Sequence, residues 1–172
     1  MSILKVNEIR DKGNNTLLSS DGAGTITSGG LMTNTPAFQA TLSSSITLSN
    51  NTQTKIPADT VDFDTDSCYD NSTNYRFTPT VAGKYLCYAE INIQGGTINN
   101  IGQVYLRKNG STVKMSIDRY AGDGDVITNC VAVIDFNGTT DYFEAYARQN
   151  TGSSKDLFNG NTYFGAYRII GA

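Results

Sequence analysis

Residues 69–93 read YDNSTNYRFTPTVAGKYLCYAEINI, and they set the terms for the rest of the chain. A first apolar piece ends at Tyr75-Arg76-Phe77, Pro79 and Gly83 punctuate it, and Tyr85, Cys87, Ala89, Ile91 and Ile93 then recur with period two. Leu86, Tyr88, Glu90 and Asn92 fall on the opposite face, the pattern of a strand buried on one side. Proline lacks a backbone donor, so Pro79 belongs at the start or edge of a pairing, and Gly83 is free to take a turn geometry closed to other residues. The reading is strand, tight turn, strand.

Working outward, the same alternation continues. Phe38, Ala40 and Leu42 alternate with Gln39 and Thr41, and Ile46 and Leu48 share a short strand closed by Asn50-Asn51. The segment from Thr54 to Asp66 scatters Ile56, Val61 and Phe63 among polar residues, as an irregular edge does. Val104 and Leu106 share a face, Asn109-Gly110 supplies the positive φ of a two-residue hairpin, and Val113, Met115 and Ile117 return. Val126 to Phe136 is a long apolar run ending at Asn137-Gly138. After it, Phe143, Ala145 and Ala147 alternate with Tyr142, Glu144, Tyr146 and Arg148. Asn159-Gly160 marks a turn before a last strand, Tyr163 to Ile170. About nine strands at this spacing, with no helical periodicity, give an all-β antiparallel sandwich or barrel.

With 172 residues the chain has room for one buried core and an appendage. The boundary is expected near residue 33: residues 1–32 form a strand-turn segment and residues 33–172 the main domain, with Ser28-Gly29-Gly30 as a hinge. Leu4, Val6, Ile9, Leu17 and Leu18 are too few to fold alone, which makes the first segment an assembly element completed by other chains.

Net charge −3 and singly scattered Lys and Arg argue against nucleic acid as a partner. The absence of histidine removes the commonest general base and neutral metal ligand, and no enzyme is expected. Ser153-Ser154-Lys155 sits in a Gly, Ser and Asn-rich loop without a third orienting group, so it reads as loop. No window approaches the roughly 20 apolar residues of a membrane span, and the amino terminus lacks the apolar core of a secretion signal. Cys68, Cys87 and Cys130 have neither zinc-site nor disulfide-framework spacing. Cys87 and Cys130 read as buried side chains, while a disulfide at Cys68 stays open. The carboxylates Asp62, Asp64, Asp66 and Asp70, and Asp118, Asp123 and Asp125, are either solvated turn residues or calcium ligands. The missing glycine and glutamate of a full calcium loop favour the first.

The run FTPTVAGKYLCYAEINI, the hairpin VYLRKNGSTV and the ending YFGAYRIIGA together resemble the complement globular-head and tumour-necrosis-factor-like superfamily. Phe77, Pro79, Val81, Gly83 and Tyr85 match its turn into a central strand, Lys108-Asn109-Gly110 its hairpin, and Phe164-Gly165 its aromatic-glycine ending. This resemblance covers roughly residues 36–172 and implies a two-sheet jelly roll assembling as a homotrimer. Tyr85, Cys87 and Ile91 then belong to the core or the three-fold seam, and Tyr142, Tyr146 and Arg148 to the seam or, alternatively, to a ligand face. The leader LKVNEIRDKGNNTLLSSDGAGTIT resembles the strand-turn leaders of tailed-phage virion proteins. Leader and knob together imply a phage virion structural protein, assembled in the host cytoplasm and tied to other virion proteins. Its knob would bind the host surface, a polysaccharide being the candidate receptor. The alternative is a head or tail decoration protein with no receptor. No cofactor is expected, calcium aside. Contact candidates are the loops near Asn99, Tyr120 to Asp125 and Gly152 to Asn161, with Tyr69, Tyr75 and Tyr120 as sugar-stacking candidates.

Overall fold

The computed structural model describes residues 6–28 and 33–170; Leu4, Gly29, Gly30 and Leu31 lie outside them. The strands in chain order are β1 (Glu8–Arg10), β2 (Thr16–Ser20), β3 (Ile26–Ser28), β4 (Ala37–Thr41), β5 (Ile46–Leu48), β6 (Thr54–Lys55), β7 (Thr60–Asp64), β8 (Tyr69–Asp70), β9 (Arg76–Phe77), β10 (Gly83–Gly96), β11 (Ile101–Lys108), β12 (Ser111–Arg119), β13 (Gly124–Phe136), β14 (Phe143–Gln149), β15 (Lys155–Leu157) and β16 (Tyr163–Arg168). One short 3-10 turn covers Asn159–Asn161. All pairings among the described residues are antiparallel, and the chain is an all-β jelly-roll sandwich preceded by a separate three-stranded sheet, β1-β2-β3.

A seven-stranded sheet runs β5-β15-β10-β16-β4-β7, with β13 paired along β10; a six-stranded sheet runs β12-β11-β14-β9-β8, with β6 beside β14. The quoted stretch is therefore divided between the two. β8 and β9 pair in the six-stranded sheet, and the Pro79 to Gly83 turn carries the chain across the sandwich into β10, at the centre of the other. It is a corner between sheets, where the sequence suggests a hairpin. The Tyr85 hydroxyl donates to the Val81 carbonyl at 2.7 Å and fastens that corner. The segment read as an irregular edge also splits: β6 joins the six-stranded sheet, and β7 forms an edge of the seven-stranded one. The Asn109-Gly110 hairpin has φ of 52° and 77°, and Lys108 pairs with Ser111 across it.

Inward residues of both sheets make one core. Phe38 lies at its centre, stacked on Tyr69 (4.6 Å) and Phe77 (4.5 Å) and edge-on to Phe143 and Phe164. Ala40, Ala89, Ala145, Ala147 and Ala166, all buried, leave room for these rings. Small residues facing large ones let the two layers interdigitate.

Candidate interaction surfaces

The ladders fix which side chains each sheet turns away from the core. On the seven-stranded sheet, Leu86 lies between Val133 and Tyr167, Tyr88 between Val131 and Gly165, and Glu90 between Asn129 and Tyr163. Val131 and Val133 are each 53% exposed, with Ile127, Phe63 and Tyr167 also exposed. The run from Val126 to Phe136 is thus apolar on both faces, where a solvated strand would be polar on one. Tyr88 lies flat on this face because position 165 is glycine: a Cβ there would stand 2.5 Å from the Tyr88 hydroxyl and 2.6 Å from the Phe38 carbonyl oxygen. Its hydroxyl donates to Gln39 Oε1 at 2.8 Å, and burial pushes it up to about 12. The ion pair Lys84–Asp135, at 2.7 Å, bounds one end of the face.

The second surface is the outward side of the six-stranded sheet. Tyr146 pairs with Tyr105 on β11 and with Lys55 on β6, Arg148 with Gln103, and Glu144 with Arg107. The Arg107 guanidinium stacks over Tyr146 at 3.9 Å, and Arg76 over Tyr142 at 4.6 Å. Arg148 Nη2 donates to Asn51 Oδ1 at 2.7 Å, and Nη1 to Gln103 Oε1. Lys55 donates to the Asn74 carbonyl at 3.0 Å and pairs with Glu144, which is buried beneath it. At the edge, β12 turns Met115 and Ile117 outward beside Tyr105 and Gln103; with Val113 they are exposed. The returning hairpin strand is an apolar surface strip, whereas its pattern also suited a core strand.

The third surface is the β1-β2-β3 sheet. Val6, Ile9, Leu18 and Ile26 line an open apolar depression together with Asn7, Glu8 and Ser20. Val6, Ile9 and Ile26 are exposed, and Leu17 and Leu18 half-buried. Leu4 falls outside the described residues.

Other expected site residues have structural partners. Tyr85, Cys87 and Ile91 are fully buried inside the sandwich, away from any outer face. Tyr142, Tyr146 and Arg148 share one outward face, as alternation requires, on the sheet opposite the Val131 and Tyr88 face. Tyr69 and Tyr120 are buried, donating to the carbonyls of Ala58 (2.7 Å) and Ile93 (3.0 Å), so neither presents a ring for stacking. Tyr120 packs on Gly96, where a Cβ would come within 2.2 Å of its ring. All three cysteines are free and buried, including Cys68.

Two of the aspartates, Asp64 and Asp70, are each occupied by more than one backbone N–H group. Asp64 accepts the N–H groups of Cys68 and Tyr69, and Asp70 those of Ser72, Thr73 and Asn74. Those donors hold the Asp70 carboxyl well below the usual carboxylate range. Among the described residues no three acidic, cysteine or histidine side chains converge as a metal site would require. Ser153 offers its carbonyl to Gln149 and Thr151, and Ser153 and Ser154 are exposed. What sequence reading missed is the tyrosine and valine face of the seven-stranded sheet; its signal was the apolar run Cys130 to Ile134 in β13, where Val131 and Val133 fall opposite the core-facing parity.

No protein-family model matches the chain, and no curated protein matches it by sequence. Solved structures do match its fold. Eiger TNF from S. frugiperda superposes with a TM-score of 0.57 at 12% identity, covering 79% of this chain and 93% of that one. Murine APRIL gives 0.57 at 14% identity, covering 77% and 98%. The globular domain of zebrafish complement 1qA protein gives 0.56 at 14% identity, covering 78% and 97%. The chain shares the fold of tumour-necrosis-factor-like and complement globular domains.

Proposed function

We propose that the protein is a homotrimeric virion knob that binds the host cell surface. The knob is residues 33–172, and the strand-turn segment before it ties it to other virion proteins. The observation that carries the trimer is that one chain exposes two different apolar surfaces. β12 and β13 are consecutive edge strands, one from each sheet, and carry Val113, Met115, Ile117, Val131 and Val133 on the surface. The face beside them carries Tyr88, Tyr163 and Tyr167. An edge of one copy seated on the face of the next is a heterologous contact, and such contacts form closed rings when the rotation closes. The shared fold supports the same reading. Exposed apolar residues in contiguous groups mark interaction sites on soluble proteins.

The leader supports attachment to a particle. Its sheet has an apolar side, Ile9, Leu18 and Ile26, with no covering layer among the described residues, and short sheets need such a layer. A knob displayed in threes multiplies weak contacts with a repetitive surface. Purified full-length protein, labelled and mixed with host cells, is expected to bind them saturably and to compete with particle adsorption. Adsorption unaffected by excess protein, with particle stability lost when the protein is deleted, would replace this reading with that of a decoration protein.

A further inference from the structure

We infer that the outward face of the six-stranded sheet binds an acidic polysaccharide, with the guanidinium groups of Arg76, Arg107 and Arg148 holding its carboxylates or phosphates. This deepens the host-surface reading above and rests on it. Four cations, Lys55 included, lie on this one face of a chain whose net charge is −3. Two carboxylates share it. Glu144 is buried and paired with Lys55, and Asp70 is turned onto the backbone of its own loop. No carboxylate among the described residues lies within ion-pair distance of Arg76, Arg107 or Arg148. Four cations against two carboxylates leave the face with an excess of positive charge among the described residues.

The three guanidiniums are also held in place. Arg107 and Arg76 lie on tyrosine rings, and Arg148 is gripped by Asn51 and Gln103, neutral acceptors that leave its charge intact. Arginine has five N–H donors in a planar fork suited to two-pronged recognition of carboxylate or phosphate. Arg148 uses three of them within the chain, leaving the rest of its fork for a ligand. Donors immobilised beforehand lose little freedom on binding.

Spacing selects the kind of polyanion. Along the antiparallel register, the backbones of Arg76 and Arg107 flank Glu144 across β9, β14 and β11, about 10 Å apart, and their guanidiniums lean opposite ways, onto Tyr142 and Tyr146, which spreads the charges further. Arg148 lies four residues along β14, about 13 Å away, with Tyr146 between. Duplex DNA carries one charge per about 1.7 Å, far denser than these cations. A sugar chain with an acidic group on every ring or every second ring is sparser.

The test uses full-length protein and immobilised polygalacturonate, with neutral dextran and single-stranded DNA as comparison probes, at several salt concentrations. Wild-type protein is expected to bind polygalacturonate in a salt-dependent manner and to ignore dextran. Arg148→Gln weakens binding about tenfold, since hydrogen bonds to charged groups carry that order of energy. The triple variant Arg76→Gln/Arg107→Gln/Arg148→Gln abolishes it, and Lys84→Gln on the opposite sheet leaves it unchanged. Near-ultraviolet circular dichroism of each variant checks the fold. If the triple variant misfolds, Arg148→Lys is read instead: it keeps the charge, loses the fork, and is expected to bind more weakly than wild type. The inference is overturned by no wild-type binding to polygalacturonate, by full binding in folded variants, or by tighter binding to single-stranded DNA. Host cells bound equally by wild type and triple variant would overturn this site and leave the attachment reading standing; host cells bound by neither, with polygalacturonate bound by wild type alone, would do the reverse.

Discussion

Replacing Val131 and Val133 together with serine tests the proposed trimer at an exposed apolar point of the β13 face. Both side chains are 53% exposed on the outer side of β13, and their neighbours Leu86 and Tyr88 belong to the same face. Full burial of a valine is worth about 1.5–3 kcal/mol, so covering the exposed half of each recovers about 1 kcal/mol. A three-fold ring buries two such valines at each of three seams, which makes the loss on substitution about 6 kcal/mol per trimer. At about 1.4 kcal/mol per tenfold, the trimer dissociation constant should rise by about four orders of magnitude. Sedimentation equilibrium over a wide protein range reads this directly. Neither side chain contributes to the sandwich core, so near-ultraviolet circular dichroism of the variant should match wild type at concentrations where both have the same assembly state. A wild-type protein that is monomeric at micromolar concentration refutes the reading. So does a double variant whose dissociation constant changes less than tenfold, since the face would then lie outside the seam.

Two further outcomes concern the fold. Phe38→Ala removes a ring stacked or edge-on against four others and is expected to lower stability by about 3–5 kcal/mol in urea denaturation at fixed protein concentration. A loss under about 1 kcal/mol would show that the core collapses around the gap. In alkali, burial pushes the hydroxyls of Tyr85, Tyr88 and Tyr120 up to about 12. These groups keep their protons in the native state after the unfolded chain has lost its own at about 10, so the native state binds more protons in between. Their contribution is fully present below about pH 10 and falls as pH rises toward 12. Phenolate absorbance should therefore show these tyrosines ionising together with unfolding; ionisation of all ten near pH 10 with the fold intact would contradict it.

Period-two patterns made most strands legible in the sequence, because a residue's side of a sheet follows from its parity alone. The Tyr85 to Ile93 and Phe143 to Ala147 alternations point inward as read, and Asn109-Gly110 forms its hairpin. Parity does not say which sheet a strand joins. Phe77 and Tyr85 are neighbours in the core, ring centroids 5.9 Å apart, whether the turn between them closes a hairpin or crosses between sheets. Only the partners of β9 and β10 decide that, and the residues of those partners, β14 and β13, lie 28 or more positions later in the chain than the residues they pair with.

The surfaces were legible for the same reason and to the same limit. Tyr142, Tyr146 and Arg148 fall on one outward face because Tyr146 and Arg148 alternate along β14 and Tyr142 directly precedes it. The grouping of Arg107, Arg76 and Lys55 with them depends on three different ladders. Valine at 131 and 133 reads as core in any local window, because a residue buried between sheets and one reserved for another chain obey the same chemistry. The distinction lies in what stands opposite: Cys130 and Ile134 meet the core, whereas Val131 and Val133 meet no second layer among the described residues. A strand with exposed apolar residues opposite its core-facing ones, at the edge of a sandwich, is therefore the sequence mark of a surface suited to a cover, and a second copy of the chain is the cover we propose here.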